Sequence, residues 1–95
     1  MYRVLIVEDE PPAIKPIKTL IYKYCKDFDL VGIAENGVDG ISMARELEPD
    51  LIITDVHMPL MDGIEFVSKI KRKNPESLIL IISGYSEFEY VQRAI

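Results

Sequence analysis

Leu78-Ile79-Leu80-Ile81-Ile82 is apolar at every position. So short a run suits a strand covered on both faces, as in a parallel sheet. Working back toward the N-terminus, Leu51–Thr54, Leu30–Ala34 and Tyr2–Val7 are runs of the same β-branched kind. Stretches with helical spacing lie between them. Ile14, Ile17, Ile21, Tyr24/Cys25 and Phe28 form one stripe, with Pro16 expected to kink that helix or delay its start. Val38, Ile41, Ala44 and Leu47/Glu48 follow an N-cap at Asn36, and Ile64, Val67 and Ile70 follow Asp62, with Glu65 in the capping-box position. A fourth helix is expected from Ser86, with Glu89 in the box position. Such alternation of strand and helix predicts a parallel α/β sheet with helices on both faces. Leu78–Ile82 would make a poor edge, and the last helical pattern has no stop signal by Ile95. The expectation is a fragment, with a further strand beside Leu78–Ile82 in the natural protein. The flank left open would then promote self-association.

At 95 residues, with 48% hydrophobic and 28% charged residues, the chain fits one soluble domain and excludes disorder. No apolar run approaches the roughly 20 residues of a membrane span. The opening run Val4–Val7 is too short for a signal peptide. The one cysteine, Cys25, excludes an internal disulfide and a cysteine-built zinc site, and fits a reducing cytoplasm. A net charge of −5 argues against direct nucleic-acid contact by this segment.

Parallel α/β sheets gather ligands at the carboxyl ends of their strands. Here those ends carry Glu8-Asp9-Glu10, then Asp55, then Ser83-Gly84. With the first and third strands adjacent, Glu8, Asp9 and Asp55 fall in one pocket. Crowded carboxylates repel and need an offsetting charge. Hard divalent cations take oxygen ligands, so Mg²⁺-assisted phosphoryl transfer to a carboxylate fits the set. The bland alternative is that these acids are turn residues or helix caps.

The same residues carry a family resemblance. Val4-Leu5-Ile6-Val7-Glu8-Asp9-Glu10-Pro11 resembles the opening of a response-regulator receiver domain of bacterial two-component systems. Asp55-Val56-His57-Met58-Pro59-Leu60-Met61-Asp62-Gly63 resembles the segment around that family's phosphorylated aspartate, and Ile81-Ile82-Ser83-Gly84-Tyr85 its fourth strand and switch hydroxyl. The resemblance covers residues 1–95 and implies a flavodoxin-like doubly wound sheet of order 2-1-3-4-5, interrupted here before strand 5 and helix 5. It also implies a phosphorelay switch rather than a metabolic enzyme. Asp55 would accept a phosphoryl group from a sensor histidine kinase. Glu8 and Asp9 would hold Mg²⁺ together with Asp55 and the backbone carbonyl of His57, and Ser83 would bond the phosphoryl oxygens. Family members often have Asp at the position of Glu8. The family's strand-5 lysine and aromatic switch residue have no counterpart, and none of Lys69, Lys71 or Lys73 matches the lysine. Homodimerisation through the fourth helix, fifth strand and fifth helix is a family property, and that face is incomplete here. A DNA-binding output domain that regulates transcription is expected in the full-length protein. The Tyr2 opening and Ser83–Phe88 run look most like receivers joined to AraC-type helix-turn-helix domains.

Other residues have plainer readings. His57 in a loop reads as a rim residue that tunes water access, and Tyr85 similarly. Cys25 reads as a structural thiol on the apolar stripe, and Lys69, Lys71, Arg72 and Lys73 as cations complementing a helix C-terminus. Two other functions compete with the switch. A haloacid-dehalogenase-type phosphohydrolase would carry an acid two residues after its nucleophile, where this chain has His57. A phosphorylation-independent interaction module would not require Glu8, Asp9, Asp55 and Ser83 together.

Overall fold

The computed structural model describes residues 1–56 and 60–82. The elements run β1 (Tyr2–Val7), α1 (Pro11–Tyr24), β2 (Phe28–Ala34), α2 (Gly37–Leu47), β3 (Leu51–Asp55), α3 (Gly63–Lys73) and β4 (Leu78–Ile82). The strands form one parallel sheet in the order β2-β1-β3-β4. This is the doubly wound, flavodoxin-like arrangement expected for the described strands.

Each face of the sheet has its own core. Leu5, Val7, Ala34 and Ile52 pack with Ala44 of α2 and with Phe66 and Ile70 of α3, while Val4, Ile6 and Ile53 pack with Ile21 of α1. Alternate residues of β1 therefore serve opposite faces, and burying apolar side chains on both sides fixes the strand register. Gly32 lets α2 lie close on β2, because a Cβ there would meet Met43 Cε at 2.7 Å and Leu47 Cδ1 at 2.9 Å.

The β1–β2 pairing slips by one residue. Val4 lies opposite Leu30 and Leu5 opposite Gly32, leaving Val31 without a partner as a bulge. At the amino ends of the strands the chain is tied by hydrogen bonds. Arg3 N–H donates to Asp50 Oδ2 (2.7 Å), Arg3 Nε to the Leu47 carbonyl (3.0 Å) and the buried Ser77 hydroxyl to the Pro49 carbonyl (2.6 Å).

Several local expectations are corrected. The first helix is not delayed by Pro16: it starts at Pro11 and is continuous through Pro16. Prolines at the first helical positions are pre-set in φ and lack an N–H that would go unbonded anyway. On α3 the inward side chains are Phe66 and Ile70, while Ile64, assigned to the stripe, points outward. The cap fixes this phase, since the Asp62 side chain accepts from Glu65 N–H at 2.8 Å. Asn36 caps α2 as expected, accepting from Asp39 N–H at 2.8 Å. Tyr24 and Val38 are likewise exposed rather than part of their stripes, and Cys25 is half-buried at the margin of the α1-side core. Leu78–Ile82 is not covered on both faces by the described residues. Leu78, Leu80 and Ile81 are 69%, 50% and 47% exposed among the described residues, where β4 pairs with β3.

Candidate functional site

The carboxyl ends of β1 and β3 lie side by side, with Val7 opposite Thr54 in the register. The residues that follow each strand therefore meet. One carboxylate oxygen from each of Glu8, Asp9 and Asp55 can be chosen so that all lie within 4.8 Å of one another. Glu8 is buried, whereas Asp9 and Asp55 are half-buried.

The electrostatics are those of crowded acids. Burial pushes the Glu8 carboxyl up from 4.5 to about 7, helped by the charge of Asp55, a hydrogen bond with Asp55 and the charge of Asp9. A backbone hydrogen bond from Glu10 opposes this shift without reversing it. Among the described residues no lysine or arginine pairs with any of the three acids; the drawn ion pair, Lys69 with Glu65 at 3.7 Å, is exposed on α3. Three carboxylates that can each offer an oxygen to one point fit a hard divalent ion such as Mg²⁺. The fit rests on these acids' proximity, burial and raised proton affinity.

The backbone holds Asp55 in place. Val56 N–H donates to Asp55 Oδ1 at 2.7 Å, and Gly63 N–H donates to the Val56 carbonyl at 2.7 Å, closing the β3–α3 loop. A Cβ on Gly63 would lie 2.7 Å from the Asp55 carbonyl oxygen and 2.8 Å from Val56 Cα. Gly63 is thus in contact with the acid's own peptide, a role that the motif alone does not reveal. Its only sequence signal is a glycine directly after the Asp62 cap. Met61 is buried against the first residue of α2, since a Cβ on Gly37 would meet Met61 Cβ at 3.0 Å.

Of the residues singled out from sequence, Glu8, Asp9 and Asp55 are brought together. His57, Ser83, Tyr85 and the helix expected from Ser86 lie outside the described residues. Among the described residues no helix is long and apolar enough to cross a membrane.

Comparison with known proteins gives the same picture. The transcriptional regulatory protein YesN of Bacillus subtilis is 33% identical over 95 residues, covering all of this chain and 26% of that protein. The nitrate/nitrite response regulator NarL of Escherichia coli is 36% identical over 92 residues, covering 97% of this chain and 42% of NarL. The chain thus spans less than half the length of either relative. Among solved structures, the receiver domain of AraT, a response regulator from Geobacillus stearothermophilus, superposes with a TM-score of 0.83 at 31% identity. That match covers 98% of this chain and 72% of AraT's. A two-component transcriptional regulator AraC from Clostridium phytofermentans gives 0.79 at 36% identity, over 97% of this chain and 74% of that one. The family profile of the response regulator receiver domain matches residues 4–95, and the chain belongs to that family.

Proposed function

We propose that this domain is the phosphoacceptor of a two-component phosphorelay, with Asp55 as the residue modified. The observation that carries the reading is the convergence of Glu8, Asp9 and Asp55 at the carboxyl ends of β1 and β3, with Glu8 raised to about 7 by burial and by Asp55. Glu8, Asp9 and Asp55 would hold Mg²⁺, with the His57 carbonyl as a further ligand. When bound, the ion offsets the crowded carboxylates and the charge of the incoming phosphoryl oxygens.

The chain's own groups do the rest. The Val56 N–H, bonded to Asp55 Oδ1, orients the carboxylate so that its other oxygen is the nucleophile. That oxygen forms a bond to phosphorus as the nitrogen–phosphorus bond of a histidine kinase's phosphohistidine breaks, the imidazole keeping the electron pair. Ser83 donates its hydroxyl to the phosphoryl oxygens after transfer. The acyl phosphate adds about −1.5 to −2 charges. That charge biases a two-state surface read by an output domain, which we assign to DNA binding and transcription control in the cytoplasm. The AraC-type output and a homodimeric active form belong to the same proposal. The domain promotes its own phosphorylation and dephosphorylation and turns over no metabolite.

The test is intact mass after incubation with phosphoramidate and Mg²⁺, for wild type and Asp55→Asn. One base-labile phosphoryl adduct is expected on wild type, lost with EDTA and absent from the variant. An adduct that persists in Asp55→Asn would overturn the assignment.

A further inference from the structure

Three polar side chains are buried among the described residues: Glu8, Ser77 and Thr54. Glu8 belongs to the acid cluster, and Ser77 ties the amino ends of the strands through the Pro49 carbonyl. Thr54 does neither. It is 1% exposed and lies in register with Val7 of β1 and Ile81 of β4, where a valine would fill the strand with no polar atom to bury. Its hydroxyl donates to the carbonyl of the next residue, Asp55, at 3.1 Å. That carbonyl oxygen is also the atom nearest a Cβ added at Gly63, at 2.7 Å, so α3 abuts it as well. The Asp55 carbonyl and the Val56 N–H belong to one planar peptide unit, and fixing one end aims the other. The end so aimed, the Val56 N–H, bonds Asp55 Oδ1 at 2.7 Å.

We propose that Thr54 is a positioning residue for phosphoryl transfer: through the Asp55 carbonyl, its hydroxyl sets the peptide that orients the Asp55 carboxylate. This inference rests on the phosphoacceptor reading above. A bond to the backbone suits the task, since a peptide unit turns only about the two single bonds that flank it. Without the bond the Asp55 carboxylate stays in the site, but the Val56 N–H tilts and holds Oδ1 less firmly. The reacting oxygen is then out of line for part of the time, which slows transfer without abolishing it. A threonine that merely filled the core would act through its methyl group and its volume instead. Methyl and hydroxyl can be removed one at a time, so substitution separates the two roles.

The test uses the complete protein as wild type, Thr54→Val, Thr54→Ser and Thr54→Ala. Wild type against Thr54→Val, and Thr54→Ser against Thr54→Ala, differ mainly by the hydroxyl. Labelling by phosphoramidate at saturating Mg²⁺ is followed by intact mass, and the urea midpoint of each form is measured beside it. Thr54→Ser should label within about twofold of wild type although its midpoint falls, because it keeps the donor and loses a buried methyl. Thr54→Val and Thr54→Ala should label about five- to tenfold more slowly than their hydroxyl-bearing counterparts, the factor to which a typical net hydrogen bond corresponds. Should Thr54→Val fail to fold, the comparison of Thr54→Ser with Thr54→Ala decides alone. Equal rates within the pairs would overturn the proposal. So would rates that follow the urea midpoints, with Thr54→Ser slowed as much as Thr54→Ala. Wild type refractory to phosphoramidate would instead overturn the phosphoacceptor reading, and the proposal with it.

Discussion

Gly63→Ala tests whether Asp55 is held by backbone contact from α3. The added methyl would lie 2.7 Å from the Asp55 carbonyl oxygen, 2.8 Å from Val56 Cα and 2.9 Å from the Val56 carbonyl oxygen. Ordinary contacts need more than 3 Å, so either α3 or the end of β3 must move by several tenths of an ångström. None of the three atoms is the tip of a flexible side chain. The β3 residues leading to this point, Ile52, Ile53 and Thr54, are buried and cannot yield easily. Overpacking of this kind costs about 1–3 kcal/mol, against at most about 1 kcal/mol regained from alanine's helix propensity. A net loss of about 1–2 kcal/mol is expected. In urea, where the slope is about 1–3 kcal/mol/M, the midpoint should fall by about 0.3–2 M. Phosphoramidate labelling of Asp55 should slow in parallel, since even a small misplacement of a reacting group is costly. Gly32→Ala is the control, because its methyl meets side-chain ends, Met43 Cε and Leu47 Cδ1 with Leu5 Cδ1 at 3.3 Å, rather than backbone, and should cost less than Gly63→Ala. Equal midpoints for wild type and Gly63→Ala, with unchanged labelling, would refute the reasoning. So would equal losses for both glycines.

Further predictions follow from the same structure. Because folding raises the Glu8 carboxyl from 4.5 to about 7, the folded state binds a proton that the unfolded state releases. Its stabilising contribution is full below pH 4.5 and lost as pH rises through 7. In EDTA, urea midpoints measured from pH 5 to 8 should therefore decline in this window, and Glu8→Gln should flatten the decline. Phe66→Ala, which empties a fully buried site under α3, should cost about 3–5 kcal/mol in the same assay. Asn36→Ala removes the acceptor for Asp39 N–H and should cost about 1 kcal/mol, readable as a lowered melting temperature.

How much of this was legible from sequence depends on what each signal reports. The apolar runs marked every described strand; in β1 and β3 the consecutive residues Val4–Val7 and Ile52–Thr54 are buried on both faces, which leaves few polar positions to confuse the pattern. Asn36 and Asp62 announced their helices because capping is a local bond to a backbone N–H three residues on. The pairing of Glu8 and Asp9 with Asp55 was legible once β1 and β3 were placed as neighbours, a matter of topology rather than side-chain detail. The phase of α3 was not. Phe66, Ile64 and Val67 are all apolar, so periodicity alone could not say which turned inward, and the stripe missed the fully buried phenylalanine. The close approach of Gly63 to Asp55 was equally hidden, because a glycine's contacts are set by what the fold brings to it. Nor did any glycine or asparagine announce the left-handed residues Glu48, which ends α2, and Leu60.

The bulge at Val31 gives β2 a property its neighbours lack. Deleting one residue from the middle of a strand normally turns every following side chain to the wrong face. Here Leu30 and Gly32 already occupy the successive positions opposite Val4 and Leu5. Removing Val31 would splice them into an unbroken ladder, with Leu30 still facing the α1 side and Gly32 still under α2. The strand thus carries one spare residue, and the chain can shorten at that point while each core keeps its own side chains.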